Sequence, residues 1–317
     1  MASRRWVLIG LTGAAALAGG ATWSAFATDI ARARANVRGL SSVFQSRFGA
    51  MEYAVAGRGP PALAIHGTGG GFDQGLAIGR RLAATGRLII APSRFGYLRS
   101  DNPHDPSPAN QADAFVDLLD ELEIEKASAI GVSAGALSAL EFAIRHPSRC
   151  NALVALVPAT YVPNRPAPQP SAMGRAIMEL ALKSDLLFWI GVKTAPSAMA
   201  RTLLATDPAL LREASLSEQA RATEILEGIL PVSARARGLL NDAAQAGAPA
   251  SMAIASIAAP TLAISLEDDR FETAAAARHI AATVSGAKLV IYARGGHVWI
   301  GHDAELFAEI DAFLRRT

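Results

Sequence analysis

Gly131-Val132-Ser133-Ala134-Gly135 carries the sharpest chemical signal in the chain. An apolar run, Ala127 to Val132, leads into it, and a helical pattern from Ala134 to Arg145 leads out. A serine on so tight a strand-to-helix turn lifts its hydroxyl above the sheet edge, and the flanking glycines let helix and strand pack closely enough to hold it there. Ser133 is therefore a candidate nucleophile. The plainer alternative is a turn of small residues that only permits close packing. Attack on a carbonyl makes an oxyanion, and the glycine-rich run His66-Gly67-Thr68-Gly69-Gly70-Gly71 follows an earlier short strand, where bare backbone can bring N–H groups to about 3 Å from that oxygen. The donors would be the N–H of Ala134 and one from Thr68 or Gly69. A phosphate cradle is the rival use of such a run. It fits poorly, because Phe72 stands where a G-x-G-x-x-G pattern begun at Gly67 needs its last glycine, and no lysine follows.

Six histidines are available as the base. His297 ends Ala293-Arg294-Gly295-Gly296-His297, directly after the last strand-like run, where a glycine turn can aim the ring at the sheet's carboxyl edge. His146 precedes Pro147 at a helix end and reads as structural, His104 lies in a polar loop, and His279 falls within a helical run. His302 is the one rival, better read as a surface or helix-start residue, and His66 as a residue that shapes the glycine loop. An acid must then orient the base and stabilise the imidazolium. Glu267-Asp268-Asp269 follows the strand-like Thr261 to Leu266. For an isolated acidic triplet a solvated turn would be the better account, but serine, acid and histidine occur in that chain order, each just beyond a strand.

The elements that must position these groups alternate between strand and helix after residue 40, which implies an α/β fold with a mostly parallel sheet covered by helices on both faces. Strands are expected at Met51 to Ala56, Ala62 to Ile65, Leu88 to Ala91, Ala127 to Val132, Ala152 to Val157, Thr261 to Leu266 and Lys288 to Tyr292. Helices are expected at Gln111 to Leu122, Ala134 to Arg145 and Ala304 to Leu314. A Pro-rich passage from Val162 to Pro170 breaks the alternation, and residues from about 171 to 253 read as helical.

With 51% hydrophobic and 18% charged residues, the 317-residue chain can bury a large core, which excludes disorder. Thirty Lys plus Arg against 28 Asp plus Glu gives +2 with no long basic run, so no nucleic-acid partner is expected. The lone Cys150 excludes a disulfide scaffold and a thiolate metal site. At the N-terminus, Arg4-Arg5 precedes 22 uncharged residues, Trp6 to Ala27, ending in Ala25-Phe26-Ala27. That is the order of an export signal cleaved before Thr28. The same stretch, at about 1.5 Å per residue, is long enough to remain as a membrane anchor through residues 6–27. Either outcome implies a periplasmic, secreted or membrane-anchored protein. The division expected is 1–27 as signal or anchor and 28–317 as one domain.

With these residues in place, the sequence resembles the α/β-hydrolase superfamily over nearly all of residues 45 to 317. The resemblance rests on His66 to Gly71, on Ser93-Arg94-Phe95-Gly96-Tyr97-Leu98-Arg99-Ser100-Asp101, which looks like the family's loop after its fourth strand, and on the Ser133 elbow, the acid loop and Gly295-Gly296-His297. Leu266 stands where the family often has glycine. Counting from it, the resemblance implies that Asp269 is the acid and that Asp268 points to the other side of the turn, where its replacement should cost little. It also implies that the helical insertion, about 160–255, is a cap over the site. Apolar cap residues such as Leu186, Leu187, Phe188, Trp189 and Ile190 read as cap core before substrate wall. The function implied is cofactor-independent cleavage of an ester-like bond in a small or medium apolar substrate: Ser133 attacks, His297 moves the proton, Asp269 orients His297, and an acyl-enzyme yields to water. Two alternatives remain open, hydrolysis of a carbon-carbon bond in a diketone-like substrate and a non-catalytic binding protein that uses the capped pocket as a receptor.

Overall fold

The computed structural model describes residues 20–165 and 182–317. Its strands are β1 (Ser42–Ser46), β2 (Gly49–Gly57), β3 (Pro61–Ile65), β4 (Leu88–Pro92), β5 (Ala127–Val132), β6 (Cys150–Leu156), β7 (Thr261–Leu266) and β8 (Lys288–Tyr292). They form one sheet in the order β1-β2-β4-β3-β5-β6-β7-β8. The six strands from β4 to β8 in that order run parallel, while β1 and β2 form an antiparallel hairpin on the β4 edge. Every residue of β5 and β7 is buried, as expected of central strands covered on both faces.

Side chains alternate between two cores with the period of a strand. Leu63, Ile65, Ala129, Leu153 and Ala155 face one side, where the helices Pro108–Glu121, Gly135–Arg145 and Thr273–Thr283 cover them. Ala62, Ala64, Ile130, Val132, Val154 and Leu156 face the other, under the helices Phe72–Ala84 and Asp303–Leu314. The fold is thus the α/β-hydrolase arrangement expected of the sequence, and the parallel strands bring their carboxyl ends to one edge. The hairpin strand β1 was not legible: Ser42-Val43-Phe44-Gln45-Ser46 is short, polar in part and only partly buried, and it forms because β2 offers an unpaired edge.

Between β6 and β7 the described residues contain helices and no strand: Asp185–Thr194, Pro196–Leu203, Pro208–Glu213, Leu216–Glu227 and Ala236–Gln245. Their shortness follows from local punctuation. The Ser184, Asp207 and Ser215 side chains accept backbone N–H groups at helix starts, and Pro196 and Pro208 occupy first positions where no N–H is needed. Residues 166–181 of the expected 160–255 insertion lie outside the described residues. Phe188 and Trp189 are buried in the insertion's own cluster with Val192, Ile229, Leu230 and Val232, whereas Leu187 and Ile190 face outward.

Residues 20–36 form a helix that belongs to this same cluster. Phe26 lies edge-on to Trp189 at 5.7 Å, Ile30 is buried beside it, and the Trp189 indole donates to Asp29 Oδ2 at 2.9 Å. Residues 1–19 of the expected signal or anchor lie outside the described residues. The expected cleavage site Ala25-Phe26-Ala27 falls inside the helix, so a cut there would remove Phe26 from its contact. Among the described residues no helix is long and apolar enough to cross a membrane. Phe26→Ala should leave a void beside Trp189 and destabilise the helix-to-cap contact by roughly 3–5 kcal/mol. Amide exchange should then quicken in residues 26–36 and 188–192 while β5 stays protected, and unchanged exchange at 188–192 would show that the helix does not brace the cap.

Candidate active site

At the end of β5 the backbone turns left-handed at Ser133, with φ of 53°, before the helix starts at Gly135. Such a conformation costs a non-glycine residue on the order of 1–3 kcal/mol and persists only where neighbours hold it. Here the Ser133 N–H donates to the Leu156 carbonyl at 2.9 Å, and the Ser133 carbonyl accepts from Ala136 and Ala159 at 3.0 and 3.1 Å. The hydroxyl is left at the sheet edge, 2.9 Å from His297 Nε2.

His297 follows β8 through the Gly295-Gly296 turn, and its other ring nitrogen lies 2.8 Å from Asp269 Oδ2. Asp269 is 3% exposed and His297 8%. The carboxylate is held from two further directions: the Phe271 N–H donates to Oδ1 at 2.9 Å and the Thr273 hydroxyl donates to Oδ2, while Thr273 itself contacts the Ser265 hydroxyl at 2.8 Å. Burial pushes the Asp269 pKa up, but the charge and hydrogen bond of His297, with the bonds from Thr273 and Phe271, outweigh it and leave the acid below its ordinary value. An ionised Asp269 fixes the proton on Nδ1, so Nε2 is free to accept from Ser133. The Phe271 ring stands edge-on to His297 at 4.9 Å. Thr273 was invisible to sequence reasoning, because nothing in a helix-starting Thr marks which carboxylate it will meet.

Asp268 corrects an expectation. It does not point away: Oδ1 accepts from the Gly296 N–H at 2.8 Å and Oδ2 from Gly295 at 3.1 Å, so this carboxylate shapes the turn that delivers His297. Adjacent acids therefore divide the work, Asp269 on the ring and Asp268 on its backbone.

The glycine loop also needs one revision. Gly67 N–H donates to Gln74 Oε1 at 2.9 Å, Gly70 N–H to the Gly67 carbonyl at 3.3 Å, and Gly69 N–H to the Tyr97 hydroxyl at 3.2 Å. Gly69 is therefore already engaged. Of the two loop residues expected as donors, Thr68 keeps an N–H with no protein acceptor among the described residues, as does Ala134 after the elbow. His66 is fully buried; its Nε2 accepts the Arg94 N–H at 2.9 Å and its Nδ1 donates to the Gly67 carbonyl at 2.7 Å. Burial, then the Arg94 and Arg235 charges, hold its pKa well below the ordinary value, so it shapes the loop as a neutral ring. The other histidines stand apart: His146 contacts Asp113, His279 lies edge-on to Tyr161, His302 begins the last helix against Glu305, and His104 is exposed.

Comparison with known proteins agrees with this fold. A family model described as alpha/beta hydrolase fold matches residues 60–300. An uncharacterized hydrolase, YcgS, of Bacillus subtilis (strain 168) is 27% identical over 81% of this chain and 91% of its own length. A 2-hydroxy-6-oxononadienedioate/2-hydroxy-6-oxononatrienedioate hydrolase of Paraburkholderia xenovorans (strain LB400) is also 27% identical, over 81% of this chain and 87% of its own. Among solved structures, an alpha/beta hydrolase fold protein from Nakamurella multipartita superposes with a TM-score of 0.66 at 25% identity, covering 87% of this chain and 99% of that one.

Asp269→Asn should slow organophosphonate labelling of Ser133 by roughly 10⁴ while the protein stays folded. Asp268→Asn, which keeps one acceptor for two N–H groups, should slow it about tenfold to a hundredfold. Equal rates in the two variants would show that the division between the carboxylates is wrong.

Proposed function

The chain belongs to the α/β-hydrolase family, and we propose that within it this protein is a serine hydrolase that cleaves an ester-like bond through an acyl-enzyme on Ser133. The observation that carries the proposal is the unbroken line from Asp269 through His297 to Ser133, with contacts of 2.8 and 2.9 Å. Ser133 Oγ attacks the carbonyl carbon as its proton passes to His297 Nε2. The new oxyanion meets the Thr68 and Ala134 N–H groups, and the imidazolium is stabilised by Asp269. Collapse of the tetrahedral adduct expels the alcohol, which takes the proton from Nε2, and water then repeats the sequence on the acyl-enzyme.

The dioate hydrolase relative favours a second reading, hydrolysis of a carbon-carbon bond in a vinylogous diketone by the same residues. The surroundings favour an uncharged, apolar substrate. Ile229 packs on the glycine loop at Gly69 and Phe271 on His297, while the two buried arginines beside the loop, Arg94 and Arg235, already hold Asp242 and Asp73. A dicarboxylate would arrive with its charges unmatched there. We further propose export with the N-terminal segment retained and membrane attachment made by the residues before residue 20, because cleavage before Thr28 would strip Phe26 from Trp189.

An organophosphonate should label Ser133 and no other residue, and Ser133→Ala should abolish both labelling and turnover of short acyl esters. Undiminished labelling of Ser133→Ala would refute the assignment; preferred turnover of a vinylogous diketone over esters would favour the second reading. N-terminal sequencing of the native protein should find Met1 or Ala2 in the membrane fraction. A chain starting at Thr28 in the soluble periplasm would contradict retention.

A further inference from the structure

The glycine-rich loop 66–70 has little side-chain packing to fix it, yet its backbone must hold the Thr68 N–H in place. Its polar backbone groups lead to two arginines. Arg94 donates from Nε to the His66 carbonyl at 3.0 Å and from Nη2 to the Gly67 carbonyl at 3.1 Å. Arg235 Nη1 donates to the Gly70 carbonyl. Each arginine is buried and paired with an acid across the seam between cap and core. Arg94, in the loop after β4, forms a two-pronged pair with Asp242 of the cap helix Ala236–Gln245, with both contacts at 2.6 Å. Arg235, on the cap just before that helix, pairs with Asp73 of the core at 2.7 Å. The charges therefore cross the seam in opposite senses.

Asp242 does more than neutralise Arg94. Its Oδ2 also accepts the Tyr97 hydroxyl at 2.6 Å, and that hydroxyl in turn accepts the Gly69 N–H. Through Arg94 and Tyr97, one carboxylate on the cap governs three points of the loop: the His66 carbonyl, the Gly67 carbonyl and the Gly69 N–H. The cap helix sits directly on this relay. Gly238 donates its N–H to the Gly96 carbonyl at 2.9 Å, and a Cβ there would lie 2.2 Å from the Tyr97 ring. Burial lowers the Arg94 pKa, but Asp242 and Tyr97 outweigh it, so the guanidinium stays charged.

We propose that Asp242 is a positioning residue: by seating the cap on Arg94 and Tyr97 it sets the glycine loop, so that the Thr68 oxyanion donor is in place only while the cap is docked. Asp242 touches neither Ser133 nor His297, and it acts through its two partners. The catalytic consequence rests on the serine-hydrolase reading above, whereas the ordering of the loop does not. An oxyanion donor acts in the transition state and not in substrate binding, so loss of its placement lowers kcat and leaves KM alone.

The test uses the full chain and three variants, Asp242→Asn, Asp242→Glu and Tyr97→Phe, with two readouts: amide exchange of the peptide spanning residues 66–71, and kcat and KM for p-nitrophenyl butyrate. Asp242→Asn should speed exchange in the loop by about tenfold or more and lower kcat by roughly 10- to 100-fold, with KM within about twofold. Asp242→Glu should recover part of both. Tyr97→Phe keeps the Arg94–Asp242 pair and frees only the Gly69 N–H, so it should show the same pattern at smaller size, and it decides the matter alone if Asp242→Asn does not fold. Lower thermal stability with unchanged kcat and unchanged loop exchange would make Asp242 a strut of the cap and overturn the proposal. A change confined to KM would do the same by placing Asp242 against substrate. If the wild type does not turn over the ester, the serine-hydrolase reading fails and loop exchange alone judges the positioning role.

Discussion

A Cβ at residue 135 would lie 2.4 Å from the His66 carbonyl oxygen and 2.6 Å from that of Ile65, so the helix after the elbow can start this close to β3 only because residue 135 is glycine. That approach decides where everything else stands. It brings the free N–H of Ala134 alongside the glycine loop leaving β3, and it sets Gly67 against Ser133, where an added Cβ would be 3.1 Å from the serine's own. The parallel register does the rest. Ile65 pairs with Gly131, Val132 with Leu156, Leu156 with Ile264 and Leu266 with Tyr292, so the loops that carry Ser133, Asp269 and His297 leave the sheet at one level. The left-handed backbone at Ser133 is sustained by that packing and not by any preference of serine.

The polar interior on the cap side follows a different rule. Arg94, Asp242, Tyr97 and His66 are all buried, and taking such groups out of water costs several kcal/mol per charge unless their hydrogen bonds are met. Arg94 meets this demand with the carboxylate of Asp242 and two backbone carbonyls. Such a network adds little net stability over an apolar core of equal volume, but it fixes geometry, because each member has one arrangement in which every partner is satisfied. The site gains from this where glycine backbone offers no rigidity of its own. The N-terminal helix joins the same cap from outside through Phe26 and Asp29, so the cap is held on one side by apolar and indole contacts and on the other by crossed ion pairs.

Much of the fold was legible because its signals are local. Continuous apolar runs marked β5 and β7 to the residue, and the elbow, the glycine turn and the acidic triplet each sat beyond a strand, so chain order alone suggested which residues meet. What escaped was set by distant partners. The role of Asp268 depends on two N–H groups of a turn 27 and 28 residues away, and the engagement of Gly69 depends on a tyrosine hydroxyl 28 residues on. Asp242 and Arg235 lie in a helical stretch whose pattern says only that one face is polar. The N-terminal stretch hid a partner of the same kind. Its composition is that of a segment bound for a membrane, and composition does not reveal that Phe26 has a specific seat on Trp189.

The central claim, a covalent acyl-enzyme on Ser133, is tested most directly by partitioning. Hydrolysis of p-nitrophenyl butyrate and phenyl butyrate in water containing methanol should give methyl butyrate and butyrate in the same ratio from both esters, since both pass through one intermediate that has already lost its alcohol. A ratio that changes with the leaving group, or the absence of methyl ester, would mean that water attacks the substrate directly and that Ser133 forms no acyl intermediate.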